Sequence, residues 1–226
     1  MFEDLVDKVM GADFEQEPFR HLSINDFLSQ EDFDAITSAA EVTLDPADTD
    51  KELLDQCFAQ GYKVVPFPGA TTDVQGYLDW RAGRLRLHHH ATTSGEGLVL
   101  RVASPKSPAL QALYELLTSD AWCDALTARF ELDRSQLTVD VGVQKYLDGY
   151  EISPHPDARK KALTYMLNLN PHPSSEHEDH HTHYLRFKRN ETTCRPSGRG
   201  ILDTSAASFL GTGARRTISR RGTTRS

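Results

Sequence analysis

The hydrophobic period of the chain changes near residue 136, and this change constrains the fold more than any other feature. Before it, apolar residues recur at helical spacing; after it, they alternate as in strands that bury one face. The alternating residues expected to point inward are Val139, Val141, Val143, Leu163, Tyr165, Leu167 and Leu169. Helices followed by a run of antiparallel strands predict an α+β fold, in which a β-sandwich or barrel is backed by helices.

The part of the chain before residue 136 is predicted to form four helices with short connections. Ser29 is suited to cap the first, because its hydroxyl can accept a hydrogen bond from a free amide of the first turn. The first helix is expected from Ser29 through SQEDFDAITSAAEV, the second over 49–60, ending at Gly61, and the fourth over 120–130. The third carries four leucines on one face: Leu110, Leu113, Leu116 and Leu117. Extended pieces are expected at 63–67 and 98–103.

Charge is distributed very unevenly along the 226 residues. From Tyr184 onwards there are ten Lys/Arg and two acids, a balance of +8; the remaining 15 bases and 31 acids give −16 for residues 1–183. An acidic body makes nucleic acid an unlikely main partner, since phosphate binding needs clustered positive charge. Two interpretations of the basic tail remain open, a segment that binds an anionic partner and a solvated, poorly ordered end.

Three further features bear on location. The sequence has no run of the roughly 18 apolar residues that would span a bilayer. Its acidic first residues lack the basic and apolar regions of a secretory signal. The three cysteines are far apart and include no CxxC pair. These features predict a cytoplasmic protein with reduced thiols and no membrane association.

The motif with the clearest chemistry is His155-Pro156-Asp157, between the segments TVDVGVQKYL and ALTYMLNLN. In an extended segment, residues i and i+2 point to the same face, so the imidazole and the carboxylate can hold one metal ion. One carboxylate and two histidines on one face of iron leave the other positions open for cosubstrate and oxygen. The pattern alone is weak, and the flanking strands give it its weight.

The surrounding sequence resembles the prolyl-4-hydroxylase-like branch of the 2-oxoglutarate/Fe(II)-dependent oxygenases. Sequences of that family contain, in order, a strand with Tyr, a Gly turn, H-x-D, a basic residue and a second strand that ends in Leu-Asn. The corresponding residues here are Gln144, Tyr146, Gly149, His155, Asp157, Arg159 and 164–168. The segment HLSINDFLSQEDFDAI at 21–36 is similar to the family's N-terminal strand and helix, so the resemblance covers about residues 20–190.

The resemblance implies a double-stranded β-helix, a jelly roll with N-terminal helices, in which two sheets form a funnel around the metal. It implies an oxygenase domain over 1–190 followed by a basic Ser/Thr/Arg-rich tail over 191–226. His155 and Asp157 would bind Fe(II), and the Tyr146 hydroxyl would reach the 2-oxoglutarate carboxylate. The implied reaction couples decarboxylation of 2-oxoglutarate to hydroxylation of a small molecule or a protein side chain, with ascorbate as an auxiliary reductant.

The chain departs from the family after residue 183. The family has a second ligand histidine well beyond H-x-D, with an Arg or Lys about ten residues later, whereas this chain has no histidine after His183. Three interpretations remain open. The C-terminus is altered, for example by a frameshift, and the funnel is incomplete; or His183 is the third ligand; or the chain is a non-catalytic scaffold that serves as a binding module.

A second group of potential ligands lies in the loop PHPSSEHEDHHTH at 171–183, where five histidines mix with three acids. Such a loop can bind a transition metal or can simply be solvated. A metal-storage or zinc-sensing role for this loop is therefore a separate hypothesis.

Overall fold

The computed structural model describes residues 1–66, 71–86, 95–147, 149–152, 161–172 and 205–210. The helices are α1 (Leu5–Gly11), α2 (Gln30–Thr37), α3 (Asp50–Ala59), α4 (Val74–Arg81), α5 (Pro108–Thr118) and α6 (Asp120–Phe130), and a 3-10 turn spans Arg134–Gln136. The strands are β1 (His21–Ile24), β2 (Lys63–Val64), β3 (Gly95–Glu96), β4 (Val99–Val102), β5 (Val143–Tyr146), β6 (Glu151–Ile152), β7 (Leu163–Asn168) and β8 (Ser205–Leu210).

The described strands form three small sheets. Strands β2, β4 and β5 form an antiparallel sheet in that order, and β3 pairs antiparallel with β6. Strand β8 lies between β1 and β7 and runs parallel to both. Among these strands no sheet closes on itself, so the mixed helix-and-sheet architecture is established and the double-stranded β-helix stays a prediction.

The predicted helices form, and their caps explain where they begin. The Ser29 hydroxyl accepts a hydrogen bond from the Asp32 amide at 3.1 Å, and Thr49 does the same for Glu52 at 3.2 Å. Ser119 both ends α5 and caps α6, whose bounds are those predicted. Helices α1 and α4 were not predicted, because their apolar residues are too few to give a clear helical period.

A helical core packs α1, α2, α5 and α6 against one face of β7. Trp122 lies at its centre, fully buried, with its ring centroid 6.1 Å from that of Phe27 and 5.9 Å from that of Tyr165. Leu163, Tyr165 and Leu167 of β7 alternate with Leu169, which follows the strand directly. All four pack on this core, as predicted.

A sheet core lies between helices α3 and α4 and the sheet β2–β4–β5. Its buried residues are Leu54, Cys57, Tyr62, Tyr77, Leu98, Leu100, Val102 and Leu147. Val143 packs against both cores. Cys57 behaves as the small buried hydrophobe expected from its helical pattern.

The first half of the alternating segment does not match the prediction. Strand β5 begins only at Val143, and Val139 is 38% exposed instead of buried. Its neighbour Asp140 pairs with Arg101 of β4 through two hydrogen bonds, 2.5 and 3.1 Å long. The expected inward position of Val139 is therefore wrong, and a polar pair occupies the start of the segment.

No helix within the described residues is long and apolar enough to cross a membrane. Of the tail predicted over 191–226, the structure describes only β8, which lies in the one stretch of that tail with strand-like sequence.

Candidate functional site

The candidate site is the part of the β4–β5 ladder that leads into the His155-Pro156-Asp157 segment. On β5, Val143 and Lys145 point into the protein, while Gln144 and Tyr146 point to the other face. In the antiparallel register, Tyr146 is opposite Val99 and Gln144 is opposite Arg101. Residues i and i+2 of a strand share a face, so the side chains of Gln144 and Tyr146 are neighbours on the exposed face of β5.

The ladder is interrupted by a bulge. Val99 pairs with Tyr146 and Glu96 pairs with Glu151, so the paired positions are separated by two residues on one strand and by four on the other. A bulge bends the strand and redirects the side chains around it, and bulges are common next to active sites. This bulge is the last feature before β6, which ends three residues before His155.

Two glycines make the bulge sterically feasible. Gly97 has φ +82°, and a Cβ there would lie 2.7 Å from Tyr150 Cα. Gly149 has φ +76°, and a Cβ there would lie 2.7 Å from Trp80 Cη2. Both the left-handed backbone and the close contacts require glycine at these positions. Buried Thr71 holds the bulge from the side, since its hydroxyl donates to the Gly97 carbonyl at 2.5 Å.

The bulge brings two tyrosine rings together. Tyr146 and Tyr150 stack with centroids 4.6 Å apart and an interplanar angle of 30°. The Tyr146 hydroxyl donates to Gln144 Oε1 at 2.6 Å. Tyr150 and its stacking role were not predicted from the sequence; the two glycines on either side of the ladder are the only signal that would have indicated a redirected strand.

Tyr146 is accessible and yet surrounded by protein. Its side chain is 52% exposed, but burial of the region around the hydroxyl still raises the pKa of this phenol. Burial and the neighbouring Tyr146 raise the pKa of Tyr150 to about 12, so both phenols are neutral donors at physiological pH.

The large side chains of α4 lie in different environments. Tyr77 is fully buried in the sheet core. Trp80 is half-buried, its ring is tilted against that of Tyr77 with centroids 5.9 Å apart, and it covers Gly149. The Arg81 guanidinium pairs with Asp50 on α3 at 3.0 Å. Trp80 is therefore the α4 side chain that supports the bulge.

The inner face of β5 carries a buried ammonium group. Lys145 Nζ donates to the Val42 carbonyl at 2.8 Å and lies 5.8 Å from the centre of the Tyr62 ring. Burial lowers the pKa of Lys145, and the nearby Cys57 thiol partly opposes this. The ammonium is on the face of β5 opposite to Tyr146, so it stabilises the loop after α2 and does not line the candidate site.

Glu41 links the same loop to α5. Its carboxylate is 1% exposed and accepts hydrogen bonds from the amides of Lys106 and Ser107, at 2.6 and 3.0 Å, and from the Ser107 hydroxyl. Burial alone would raise the pKa of Glu41, but these hydrogen bonds outweigh it and lower the pKa. The buried carboxylate serves as a structural cap on the start of α5.

The predicted metal ligands His155, Asp157 and His183 lie outside the described residues, as does most of the 171–183 loop. Tyr146 is the one predicted site residue that the structure places. Within the described ranges, no three His, Cys, Asp or Glu side chains are grouped so that they could hold a metal ion. The predicted ligand set is therefore neither assembled nor excluded.

Comparison of the chain with protein families, curated proteins and solved structures finds no match. The function is therefore inferred from the residues and their local geometry.

Proposed function

We propose that this chain is a 2-oxoglutarate- and Fe(II)-dependent oxygenase that uses His155 and Asp157 as metal ligands, with His183 as the candidate third ligand. The supporting observation is the position of Tyr146. Its side chain lies on the exposed face of β5, just before the bulge that precedes the H-x-D segment in the sequence. Strands flank that segment on both sides, since β6 ends at Ile152 and β7 begins at Leu163.

The donor set suits the proposed metal. Imidazole and carboxylate ligands that leave open positions are the preferred environment of non-haem ferrous iron, which supplies electrons to oxygen when bound. The protein's own contribution is to bind and orient the cosubstrate and to hold the substrate C–H bond near the metal.

Tyr146 would contribute a neutral hydroxyl donor to a 2-oxoglutarate carboxylate. Because its pKa is raised, the phenol keeps its proton at physiological pH and can donate a hydrogen bond to an anion. In the present structure the proton is donated to Gln144 Oε1. Cosubstrate binding would exchange this amide acceptor for a charged one, and hydrogen bonds to charged acceptors are stronger.

The substrate class in this proposal is a small molecule or a protein side chain. We place the reaction in the cytoplasm, where thiols stay reduced. The two described cysteines, Cys57 and Cys123, are free and buried, in keeping with that compartment.

The test is cosubstrate turnover by the purified full chain supplied with ferrous iron, ascorbate and 2-oxoglutarate, with succinate as the product measured. Succinate should form with the native chain and be lost in His155→Ala and Asp157→Ala. Asp55→Ala, which removes an exposed carboxylate of α3 outside both the H-x-D segment and the 171–183 loop, is the control and should retain turnover.

A specific sequence observation favours one alternative, a non-catalytic scaffold that acts as a binding module: no histidine follows His183. In that case the native chain forms no succinate, and neither H-x-D variant changes its metal content. A metal-binding role for the 171–183 loop predicts the opposite pattern, in which deletion of the loop abolishes metal binding and His155→Ala does not.

A further inference from the structure

Three side chains that carry hydrogen-bond donors form a row across the sheet β2–β4–β5. Lys63 of β2 is opposite Arg101 of β4, and Arg101 is opposite Gln144 of β5. Directly opposite residues of an antiparallel pair project from the same face of the sheet. Leu100, the neighbour of Arg101, is buried in the sheet core, so the row lies on the other face, which also carries Tyr146. We call Lys63, Arg101 and Gln144 the donor row.

The donor row has an excess of positive charge. Lys63 and Arg101 are like charges directly opposite each other, an arrangement that destabilises a sheet. The Lys63 side chain is exposed, and its ammonium has no hydrogen-bond or ion-pair partner among the residues that the structure describes. An anion placed against this pair would offset the repulsion and would give the ammonium a partner.

The Gln144 amide adds a neutral donor to the two cations. Its Oε1 accepts a hydrogen bond from the Tyr146 hydroxyl at 2.6 Å. The Nε2 group with its two N–H donors is therefore left for another acceptor, and the side chain is exposed. Together, an ammonium, a guanidinium and an amide N–H group on one face suit an oxygen-bearing anion.

Asp140 shows which kind of anion the Arg101 guanidinium binds. The two Asp140 oxygens accept from the two terminal nitrogens of Arg101 at 2.5 and 3.1 Å, the bidentate geometry that carboxylates share. The guanidinium reaches Asp140 across Gly142, where an added Cβ would clash with Arg101 Nε. The Asp140 side chain is 82% exposed and that of Arg101 only 23%. An exposed ion pair is weak, so the carboxylate of a ligand can take the place of Asp140.

We propose that the donor row is a binding subsite for a carboxylate group of a small molecule, which replaces Asp140 on Arg101. The subsite deepens the proposed function and rests on it for the source of the carboxylate, because the row shares its face of the sheet with Tyr146. Two sources present this chemistry, 2-oxoglutarate and an acidic substrate, and the probes of the experiment distinguish them.

The test is a titration of the isotope-labelled full chain with glutarate, without metal, followed by nuclear magnetic resonance. Glutarate has both carboxylates of 2-oxoglutarate and lacks the keto group, so its binding does not depend on iron. The observed signals are the backbone amides of β4 and β5 and the Nε–H of Arg101, which is buried and has no hydrogen-bond partner in the described part of the chain. We expect saturable shifts of these signals, whether or not His155 and Asp157 bind iron.

Asp140→Asn should tighten glutarate binding about two- to fivefold, because it removes the carboxylate that competes for Arg101. Asp79→Asn is the matched control. It removes a carboxylate that pairs with Arg84 at 2.6 Å next to α4, and it should leave the affinity unchanged. A purely structural Arg101–Asp140 pair would not produce a gain in affinity when it is broken.

The cations of the donor row should contribute unequally. Arg101→Gln should weaken binding at least about tenfold, because it removes charge-assisted hydrogen bonds to the carboxylate. Lys63→Gln should weaken it about two- to threefold. Lys63 is exposed and makes no contact that the fold needs, so this variant still tests the subsite if Arg101→Gln does not fold.

The proposal is overturned if neither the native chain nor Asp140→Asn shows saturable shifts, or if Asp140→Asn and Asp79→Asn have equal affinities. Inorganic phosphate that binds as tightly as glutarate would overturn the assignment to a carboxylate. Tighter binding of glutarate than of benzoate and hexanoate would support the subsite and assign it to 2-oxoglutarate. Equal or tighter binding of these monocarboxylates would support it and assign it to an acidic substrate.

Discussion

The helical core and the β4–β5 ladder differ in how strongly their structure depends on single residues. In the helical core many apolar side chains act together, and α2 and α6 begin at the serine caps Ser29 and Ser119. In the ladder, a bulge depends on two glycines, one threonine and one tryptophan, and these residues have no periodic pattern. The first region is specified by repetition, and the second by individual contacts between residues far apart in the sequence.

The helical core should be sensitive to loss of its central side chain. Trp122 is fully buried between Phe27 and Tyr165. Trp122→Ala is expected to lower the free energy of unfolding by about 3–5 kcal/mol, because it removes buried apolar area and leaves a cavity. Urea denaturation measures this effect. A loss below about 1 kcal/mol would mean that the packing around α6 is not what stabilises this region.

The bulge should be sensitive to the addition of one methyl group. Gly97→Ala places a Cβ 2.7 Å from Tyr150 Cα at φ +82°, and the neighbouring atom belongs to the backbone. We expect a loss of about 2–4 kcal/mol, from the left-handed conformation together with the steric clash. Gly83→Ala is the control, since Gly83 has φ +70° with no atom within 4 Å of an added Cβ. It should cost only about 1–2 kcal/mol. Equal costs for the two variants would contradict the close approach at Gly97.

The contact between the loop after α2 and the start of α5, through Glu41, should depend on pH. The folded-state pKa of Glu41 is lowered, so its contribution to stability is fully present above the ordinary value of 4.5 and is lost as pH falls through the folded-state pKa. Glu41→Gln should reduce the free energy of unfolding at neutral pH by about 1–3 kcal/mol. Denaturation of both proteins from neutral pH down to acid should show the difference shrinking below this value. A difference that does not change with pH would indicate that the Glu41 charge is not the stabilising feature.

The smallest expected effect on stability is at Tyr146. The side chain is 52% exposed, and Tyr146→Phe removes only the hydrogen bond to Gln144, so the free energy of unfolding should change by no more than about 0.5 kcal/mol. The same variant should weaken binding of 2-oxoglutarate, measured by calorimetry with a redox-inert divalent metal in place of iron. Tyr114→Phe on α5 is the matched control and should bind the cosubstrate normally. Unchanged affinity in Tyr146→Phe would remove Tyr146 from the site.

The sequence predicted the periodic parts of this fold and not the contacts that interrupt them. The bounds of α6, the cap Ser29 and the inward face of β7 follow from local patterns. The exposure of Val139 did not, because the Arg101–Asp140 pair that occupies the start of its segment joins residues 39 positions apart.

The candidate site likewise has residues that the sequence indicated and contacts that it did not. The sequence indicated Tyr146 and Gly149, whereas the stack with Tyr150 and the contact between Trp80 and Gly149 depend on the register step between β4–β5 and β3–β6. A step of this kind is set by tertiary contacts, and local alternation carries no information about it.

The central claim is that His155 and Asp157 bind one ferrous ion, and an anaerobic iron titration of the purified chain tests it most directly. We expect one ferrous ion per native chain, with binding greatly weakened in His155→Ala and in Asp157→Ala and unchanged in Asp55→Ala. A folded native chain that retains no iron, or two H-x-D variants that bind it as tightly as the native chain, would contradict the account.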